Sequence, residues 1–150
     1  YHTKMINSGR YVNDSMGRYI GKKVVKKIIS QGKNILGAHV LVMGMTFKEN
    51  VSDIRNSKVA DIINEFKDFG AEVDVMDPFA SPLEVLQEYG IRLVERPGKK
   101  YDAVVVAVAH TTYLKLDESY FMSITNEHAV LADVKGVYRG SIHQMIYWSL

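Results

Sequence analysis

Two hydrophobic patterns alternate along most of the chain. Short and nearly continuous apolar runs, such as residues 103–108, are typical of parallel strands that are buried on both faces. Between these runs, apolar residues recur at the spacing of an amphipathic helix, as in residues 58–69. Strands that alternate with helices predict an α/β fold with an open, doubly wound, mostly parallel sheet of the Rossmann-like kind.

The same pattern predicts the position of each element. A long helix precedes the sheet, with Asn13 or Asp14 as its N-cap and its end near Ser30. Ser57 and Ser81 are the expected caps of two later helices. The predicted strands cover residues 38–43, 71–76, 91–94, 102–109 and 129–134, with an edge strand near 145–148, and the later helices cover 58–69, 82–89 and 116–124, with a short one after 138.

The long first helix carries a broad apolar stripe opposite a basic face. Its stripe consists of Met16, Ile20, Val24 and Ile28, and its basic residues are Arg18, Lys22, Lys23, Lys26 and Lys27. A basic face of this kind is more often solvated than bound to phosphate. The breadth of the stripe predicts an apolar patch that stays exposed in the monomer and through which the chain forms a homodimer.

The central loop, residues 44–57, is the most distinctive segment. Strand-to-helix loops usually have about 2–6 residues, and in an open α/β sheet they lie at the edge where ligands bind. The glycine fingerprint that cradles a dinucleotide is missing, because only Gly44 is present. The loop offers charged side chains instead. We expect Lys48 to contact a phosphate or carboxylate, and Asp53 to hold the loop by pairing with Arg55.

Two other polar residues follow predicted strands. Asp77 ends the second strand and is expected to cap the turn at Pro78. His110 follows the strand at residues 102–109, so it either faces a ligand or is bonded to nearby backbone. The sequence leaves these two alternatives for His110 open.

Composition narrows the possible function classes. The 150 residues suffice for one domain with a core, and a net charge of +2 is too small to indicate a nucleic-acid partner. The chain has no cysteine, which excludes disulfides and a cysteine nucleophile, and its histidines lack metal-ligand spacing. No signal peptide or membrane-spanning run is visible. Because the chain begins with Tyr1, we expect it to be a piece of a larger protein.

The order of the motifs resembles the C-terminal, UDP-binding domain of the UDP-glucose/GDP-mannose dehydrogenase family. The resemblance is carried by Gly44-Met45-Thr46-Phe47-Lys48-Glu49-Asn50, Asp53, Arg55-Asn56-Ser57-Lys58-Val59, Asp61, Gly70, Val73, Asp77-Pro78, Asp102-Ala103, Ala109-His110 and Asp133-Val134-Lys135-Gly136. The opening segment 9–14 is similar to the start of the family's central helix. The resemblance therefore implies that residues 1–32 end an inter-domain helix and that residues 33–150 form the UDP-sugar-binding domain.

The central loop is most similar to the branch that oxidises UDP-N-acetylhexosamines. For the full enzyme, the resemblance implies cytoplasmic, NAD-dependent oxidation of the sugar C6 alcohol to a carboxylate, through a thiohemiacetal and a thioester on a cysteine, for cell-surface polysaccharide synthesis. That cysteine and the NAD fingerprint are absent here. We therefore expect no catalytic residue in this chain and no activity from it alone, with the NAD-binding domain elsewhere in the same polypeptide.

The resemblance also implies roles for individual residues. Phe47 and Lys48 contact the UDP-sugar, and Arg55 faces the NAD. Lys135 lies near a position that touches substrate, beside a place where some relatives have arginine and this chain has Gly136. Two alternatives compete with this hypothesis: a stand-alone nucleotide-binding or regulatory module without catalysis, and a true dinucleotide domain, which the missing glycines disfavour.

Overall fold

The computed structural model describes the backbone of residues 2–150 and the side chains of residues 15–150. Its helices and strands follow the alternation expected from the sequence. They are α1 (His2–Ser30), β1 (His39–Met43), α2 (Val59–Asp68), β2 (Glu72–Met76), α3 (Pro82–Tyr89), β3 (Tyr101–Val106), a 3-10 helix (Thr111–Lys115), α4 (Glu118–Ser123), β4 (Thr125–Asp133) and β5 (Ile146–Ser149).

The five strands form one sheet in the order β2-β1-β3-β4-β5, and every neighbouring pair is parallel. This arrangement confirms the predicted α/β fold with a Rossmann-like sheet. The carboxyl ends of all the strands meet at one edge of the sheet, because parallel strands share one direction. The loops that follow β1, β2, β3 and β4 therefore lie side by side, and this edge is where α/β sheets bind ligands.

The sheet separates two hydrophobic cores. On one face, buried residues of α1, α2 and α3 pack with side chains of the central strands; they include Val24, Phe66 and Val85. On the other face, Tyr113 and Phe121 come from the 3-10 helix and α4 and pack on the alternate strand residues. Burial on both faces explains why the central strands are apolar without interruption.

The described part of α1 packs closely against α2. A Cβ atom at Gly17 would lie 2.6 Å from the Cβ of Asp61, and one at Gly21 would lie 2.7 Å from the Cβ of Glu65. The two glycines thus let the helix backbones approach, a feature that the sequence pattern did not reveal. Arg18 lies at the same contact and pairs with the buried Glu65 at 2.9 Å.

The apolar stripe of α1 does not form the exposed patch predicted from the sequence. Ile20, Val24 and Ile28 are at most 4% exposed, because α2 and the sheet of the same chain cover them. In residues 15–30, Tyr19 and Ile29 remain about half exposed. The side chains of the predicted caps, Asn13 and Asp14, lie outside the described part of the chain.

Several predicted boundaries were wrong. Helix α1 begins at His2, ahead of the expected caps, because Asn and Asp only favour a cap and do not impose one. The expected strand at 91–94 reduces to a single bridge between Val75 and Leu93. The expected helix at 116–124 is shorter because Asp117 caps α4 by accepting the Tyr120 N–H. No helix forms between residues 138 and 145, where the described backbone makes turns.

The start of α2 agrees with the predicted cap. The helix is assigned from Val59, but Lys58 already has helical dihedral angles. Ser57 Oγ accepts a hydrogen bond from the Val59 N–H at 3.3 Å, which is the contact that an N-cap side chain makes with the second helical residue.

Candidate functional site

The first half of the central loop is anchored by Asp77, which follows β2. One carboxylate oxygen, Oδ2, accepts the backbone N–H groups of Met45 at 2.6 Å and Thr46 at 3.1 Å. The other oxygen, Oδ1, accepts the N–H groups of Phe79 and Ala80. This confirms that Asp77 caps the turn at Pro78, and it adds a second role, because the same side chain joins that turn to the central loop.

His110, which follows β3, binds both Asp77 and the central loop. Its Nε2 lies 2.9 Å from Oδ2 of Asp77, and its Nδ1 accepts the backbone N–H of Asn50 at 3.0 Å. Neither the His110 side chain nor that of Asp77 has exposed surface. Of the two alternatives that the sequence left open, the structure therefore shows His110 bonded to the backbone of the loop.

These buried contacts lower the pKa of Asp77. Burial of the carboxyl group raises its pKa, but the hydrogen bonds from His110, Met45 and Phe79 lower it by more than burial raises it. The resulting pKa lies below the usual value of 3.8. Asp77 is thus an ionised acceptor at neutral pH, surrounded by donors.

The segment between these anchors carries Phe47 and Lys48. Thr46 Oγ1 donates to the Lys48 carbonyl at 2.9 Å, and the Phe47 N–H donates to the Asp53 carbonyl at 2.7 Å. The Phe47 N–H and the Lys48 carbonyl are therefore bonded within the loop, while both side chains are exposed, Phe47 to 55%. The loop presents an aromatic side chain and a cation side by side at the carboxyl edge of the sheet.

The second half of the loop is held by different contacts. Tyr89 of α3 donates its hydroxyl to the Ile54 carbonyl at 2.5 Å and accepts the Ser57 N–H at 3.3 Å. Asp53 pairs with Arg55 through both Nε and Nη2, each at 3.1 Å. The predicted pairing of Asp53 with Arg55 is confirmed.

Gly44 fixes the start of the loop. Its φ of +101° is open mainly to glycine, and a Cβ there would lie 2.6 Å from the Cβ of Val108 in the loop after β3. This glycine thus serves the close approach of two protein loops.

The turn after β4 places Lys135 at the same edge of the sheet. Asp133 is fully buried and accepts the N–H groups of Val137 and Tyr138, together with the hydroxyl of Tyr147 at 2.5 Å. Lys135 itself is exposed. The guanidinium of Arg139 packs against Gly136: a Cβ atom at Gly136 would lie 2.8 Å from Cζ of Arg139. A second cation therefore borders this turn.

Comparison with protein families matches residues 41–140 to the UDP-glucose/GDP-mannose dehydrogenase family, UDP binding domain. The chain belongs to this family. It is 39% identical, over 90% of its length, to the UDP-N-acetyl-D-glucosamine 6-dehydrogenase of Pseudomonas aeruginosa, and 38% identical, over 91%, to that of Salmonella typhi. It covers 32% of each protein, so the chain spans about a third of the length of these relatives.

Solved structures of the family share the fold. The UDP-N-acetyl-mannosamine dehydrogenase Cap5O from S. aureus superposes with a TM-score of 0.77 at 25% sequence identity, over 99% of this chain and 33% of that one. The family match to residues 41–140 contains the loops after β1, β2 and β3 and the first part of the loop after β4, so it includes most of the carboxyl edge of the sheet.

The UDP-binding domain brings some of the predicted site residues together and separates others. Phe47 and Lys48 are adjacent on the central loop. Lys135 follows β4, which is separated from β1 by β3, so the two strand ends lie about 10 Å apart at the usual strand spacing. Arg55 is 81% exposed and borders a polar hollow of about 510 Å³ that also includes Glu84 of α3.

The residues present do not fit a complete dinucleotide site. The central loop has no glycine after Gly44, and Gly44 is occupied by its contact with Val108. Arg55 is already paired with Asp53, and the hollow beside it contains carboxylates, which repel phosphate. Within the described residues, Arg55 is the side chain that the family resemblance assigns to NAD, and it is already paired with Asp53.

Sequence reasoning missed two features of the site. The first is the contact between His110 and Asn50, for which only the position of His110 after a strand gave a signal. The second is an apolar cleft of about 560 Å³ on the other side of Asp77, lined by Met43, Met76, Leu93, Tyr113 and Leu116 among others. No Lys, Arg or His lines this cleft, so its chemistry does not suit a diphosphate.

The described residues contain neither a cluster of metal ligands nor a helix suited to span a membrane. No group of three or more His, Asp or Glu side chains in this part of the chain is placed to hold a metal ion. None of its helices combines the length and apolar character needed to cross a membrane.

Proposed function

We propose that this chain is the nucleotide-sugar-binding part of a cytoplasmic, NAD-dependent dehydrogenase that oxidises the C6 alcohol of a UDP-N-acetylhexosamine to a carboxylate for polysaccharide synthesis. The observation that carries the proposal is the pair Phe47 and Lys48, exposed at the carboxyl edge of the sheet on a loop whose backbone is held by partly buried hydrogen bonds. The two relatives named above are UDP-N-acetyl-D-glucosamine 6-dehydrogenases, which favours an N-acetylhexosamine substrate.

The two side chains supply complementary contacts. Phe47 offers an apolar surface to the nucleotide sugar, and Lys48 offers a compact charge with several donors for phosphate or hydroxyl oxygens. Because the loop is already ordered by Asp77 and His110, little conformational entropy is lost when a ligand binds. Lys135 is the second cation that we assign to the sugar-bearing end of the ligand.

The remaining chemistry belongs outside this chain. The dehydrogenase nucleophile is a cysteine, and this chain contains none. NAD is bound mainly by another domain of the same polypeptide. Arg55 contacts NAD when its ion pair with Asp53 is broken and its guanidinium bonds to the cofactor instead. The complete enzyme forms a homodimer. We therefore expect the 150-residue chain to bind UDP and UDP-N-acetylglucosamine and to produce no NADH from them.

Calorimetry tests the binding site directly. The chain is titrated with UDP, with UDP-N-acetylglucosamine and with NAD, and then Lys48→Ala is titrated with the same ligands. A charge-assisted hydrogen bond contributes roughly 1.5–3 kcal/mol, so Lys48→Ala should weaken UDP binding about 10- to 150-fold. Its effect on folding should be small, because an exposed loop lysine contributes little to the core.

A matched control separates the site from general electrostatics. Lys67 is also an exposed lysine, but it lies in the last turn of α2. Lys67→Ala removes the same charge and should leave the affinity for UDP unchanged. If the two substitutions weaken binding equally, Lys48 does not belong to the site. Production of NADH by the purified chain would contradict the assignment of the chemistry to another domain.

A further inference from the structure

We propose that His110 is a positioning residue for the nucleotide-sugar site: its neutral ring, protonated on Nε2, holds the central loop in the shape that presents Phe47 and Lys48, and protonation of Nδ1 releases that loop. What the loop binds rests on the proposed function above. The action of the ring on the loop does not, because it can be measured without any ligand.

The neighbours of the ring determine its tautomer. Nδ1 faces the backbone N–H of Asn50 at 3.0 Å, and because that group only donates, Nδ1 must keep its lone pair. Nε2 faces the ionised carboxylate of Asp77 at 2.9 Å, and because that group only accepts, Nε2 must carry the proton. One buried ring thus has two different and fixed roles at its two nitrogens.

The ring braces both ends of the segment that presents Lys48. Besides Asn50, it lies 3.3 Å from Oγ1 of Thr46, and this hydroxyl donates to the Lys48 carbonyl. Asn50 is also fastened by its side chain, which accepts the Thr111 N–H at 2.9 Å and donates to the Thr111 hydroxyl at 2.7 Å. Asn50 has a φ of +60°, a left-handed conformation that asparagine adopts more readily than most other non-glycine residues.

Protonation of Nδ1 would act on the two contacts in opposite directions. The ring would then present a donor to the Asn50 N–H, so two donors would face each other without an acceptor. The bond to Asp77 would become stronger, because the ring would carry a positive charge beside a carboxylate. The ring therefore stays with Asp77 while the loop loses its support.

The groups that face His110 come from three neighbouring segments. Asp77 from the end of β2 is charged, and Tyr113 from the 3-10 helix is titratable, with its ring 5.4 Å from the imidazole. Phe79 from the turn after β2 contributes an uncharged ring at 4.7 Å. Burial, followed by the charge of Asp77, raises the pKa of Tyr113 well above 10, so this phenol stays neutral while histidines titrate.

Nuclear magnetic resonance tests the tautomer and the loop in the ligand-free chain. The nitrogen-15 shifts of the His110 ring should show an unprotonated Nδ1 and a protonated Nε2 at neutral pH. Hydrogen exchange at the Asn50 amide should be slow at neutral pH, and His110→Gln, which removes the acceptor at the Nδ1 position, should accelerate it about tenfold or more. A protonated Nδ1 at neutral pH, or unchanged exchange in His110→Gln, would overturn the proposal.

Titration with UDP tests the consequence for binding. His110→Gln should weaken binding about tenfold, as expected if the loop is correctly formed only about a tenth of the time. His110→Asn places an amide oxygen near the Nδ1 position, so it should retain most of the affinity and lose the pH dependence. His143→Gln, at an exposed histidine, should behave like the unsubstituted chain.

Comparison of variants at each pH removes the titration of the ligand itself. The ratio of the affinities of the unsubstituted chain and His110→Asn should fall as the solution is acidified. A constant ratio, or equal binding by His110→Gln and His110→Asn, would contradict the positioning role. Failure of the unsubstituted chain to bind UDP would contradict the proposed function alone, because the resonance and exchange measurements would still decide whether His110 holds the loop.

Discussion

Two turns at the carboxyl edge of the sheet are each built around a buried aspartate, and a different ring bonds to each of the two. Asp77 and Asp133 each accept backbone N–H groups of the turn that follows a strand. Each aspartate also bonds to a ring side chain: Asp77 to the imidazole of His110, and Asp133 to the phenol of Tyr147. A buried aspartate thus organises each of the turns near which a candidate ligand-binding lysine lies.

The two rings differ in their acid–base chemistry. Burial and the hydrogen bond to Asp133 raise the pKa of Tyr147 to about 12, so this donor stays neutral at all ordinary pH values. An imidazole, unlike a phenol, has a second ring nitrogen that can take up a proton. The turn after β4 therefore has a fixed support, whereas under the proposal for His110 the central loop would lose a hydrogen bond when Nδ1 is protonated.

The largest effect should follow from removing the charge of either aspartate. Within the described residues, Asp77 accepts from five donors and Asp133 from three. Asp77→Asn should lower the free energy of unfolding by about 2–4 kcal/mol, and Asp133→Asn by about 1–3 kcal/mol, because buried donors lose charged acceptors. Urea denaturation measures both, and a larger loss for Asp133→Asn would refute the ranking.

The contribution of the Asp77 carboxylate to stability should also be visible in the unsubstituted chain, as a loss of stability in acid. The pKa of Asp77 in the folded state lies below its ordinary value of 3.8, so the group contributes stability above about pH 3.8 and loses that contribution as the pH falls through the lower, folded-state value. Urea midpoints between pH 7 and pH 3 should therefore fall less steeply at the acid end for Asp77→Asn. Parallel curves for the two proteins would show that Asp77 does not contribute to acid unfolding.

Replacing Lys135 should weaken ligand binding less than replacing Lys48. Lys135 lies on the turn after β4, and we assign it to the sugar end of the ligand. Lys135→Ala should weaken UDP-N-acetylglucosamine binding about 3- to 10-fold and leave UDP binding unchanged, in contrast to Lys48→Ala. Lys115→Ala, at an exposed lysine of the 3-10 helix, is the control. Equal weakening of both ligands by Lys135→Ala would place it beside the diphosphate.

The smallest effect should come from the exposed pair on the second half of the central loop. Asp53 and Arg55 make a bidentate contact, but the Arg55 side chain is 81% exposed and solvent screens the attraction. Asp53→Asn should leave the thermal unfolding midpoint unchanged within error. A clear drop in that midpoint would show that the exposed pair stabilises the loop as the buried aspartates do.

The elements that the sequence predicted well depend on local signals. Helix α3 spans Pro82–Tyr89 as predicted, because Ser81 supplies the cap and Pro82 suits the first turn. Residues 91–94 resemble a strand in composition, yet only Leu93 pairs with β2, because strand pairing depends on a distant partner that composition does not reveal.

The candidate site divides in the same way. Lys48 was predicted from the length and charge of its own loop, and Phe47 beside it from the family resemblance. The support beneath them was not, because Asn50 and His110 are 60 positions apart and His110 and Asp77 are 33 apart. The close approach of α1 to α2 at Gly17 and Gly21 was missed for a similar reason, since its partners lie on another helix.

The long-range contact between Asn50 and His110 has a consequence for the order in which the domain folds during synthesis. Parallel strands cannot be joined by short hairpins, so β1 meets β3 only after a long stretch of chain has been made. The central loop emerges early from the ribosome, but its support arrives 60 residues later with His110. Until then, the Asn50 N–H lacks the acceptor that holds it in the folded domain. We therefore expect the central loop to be among the last parts of the domain to reach its final shape.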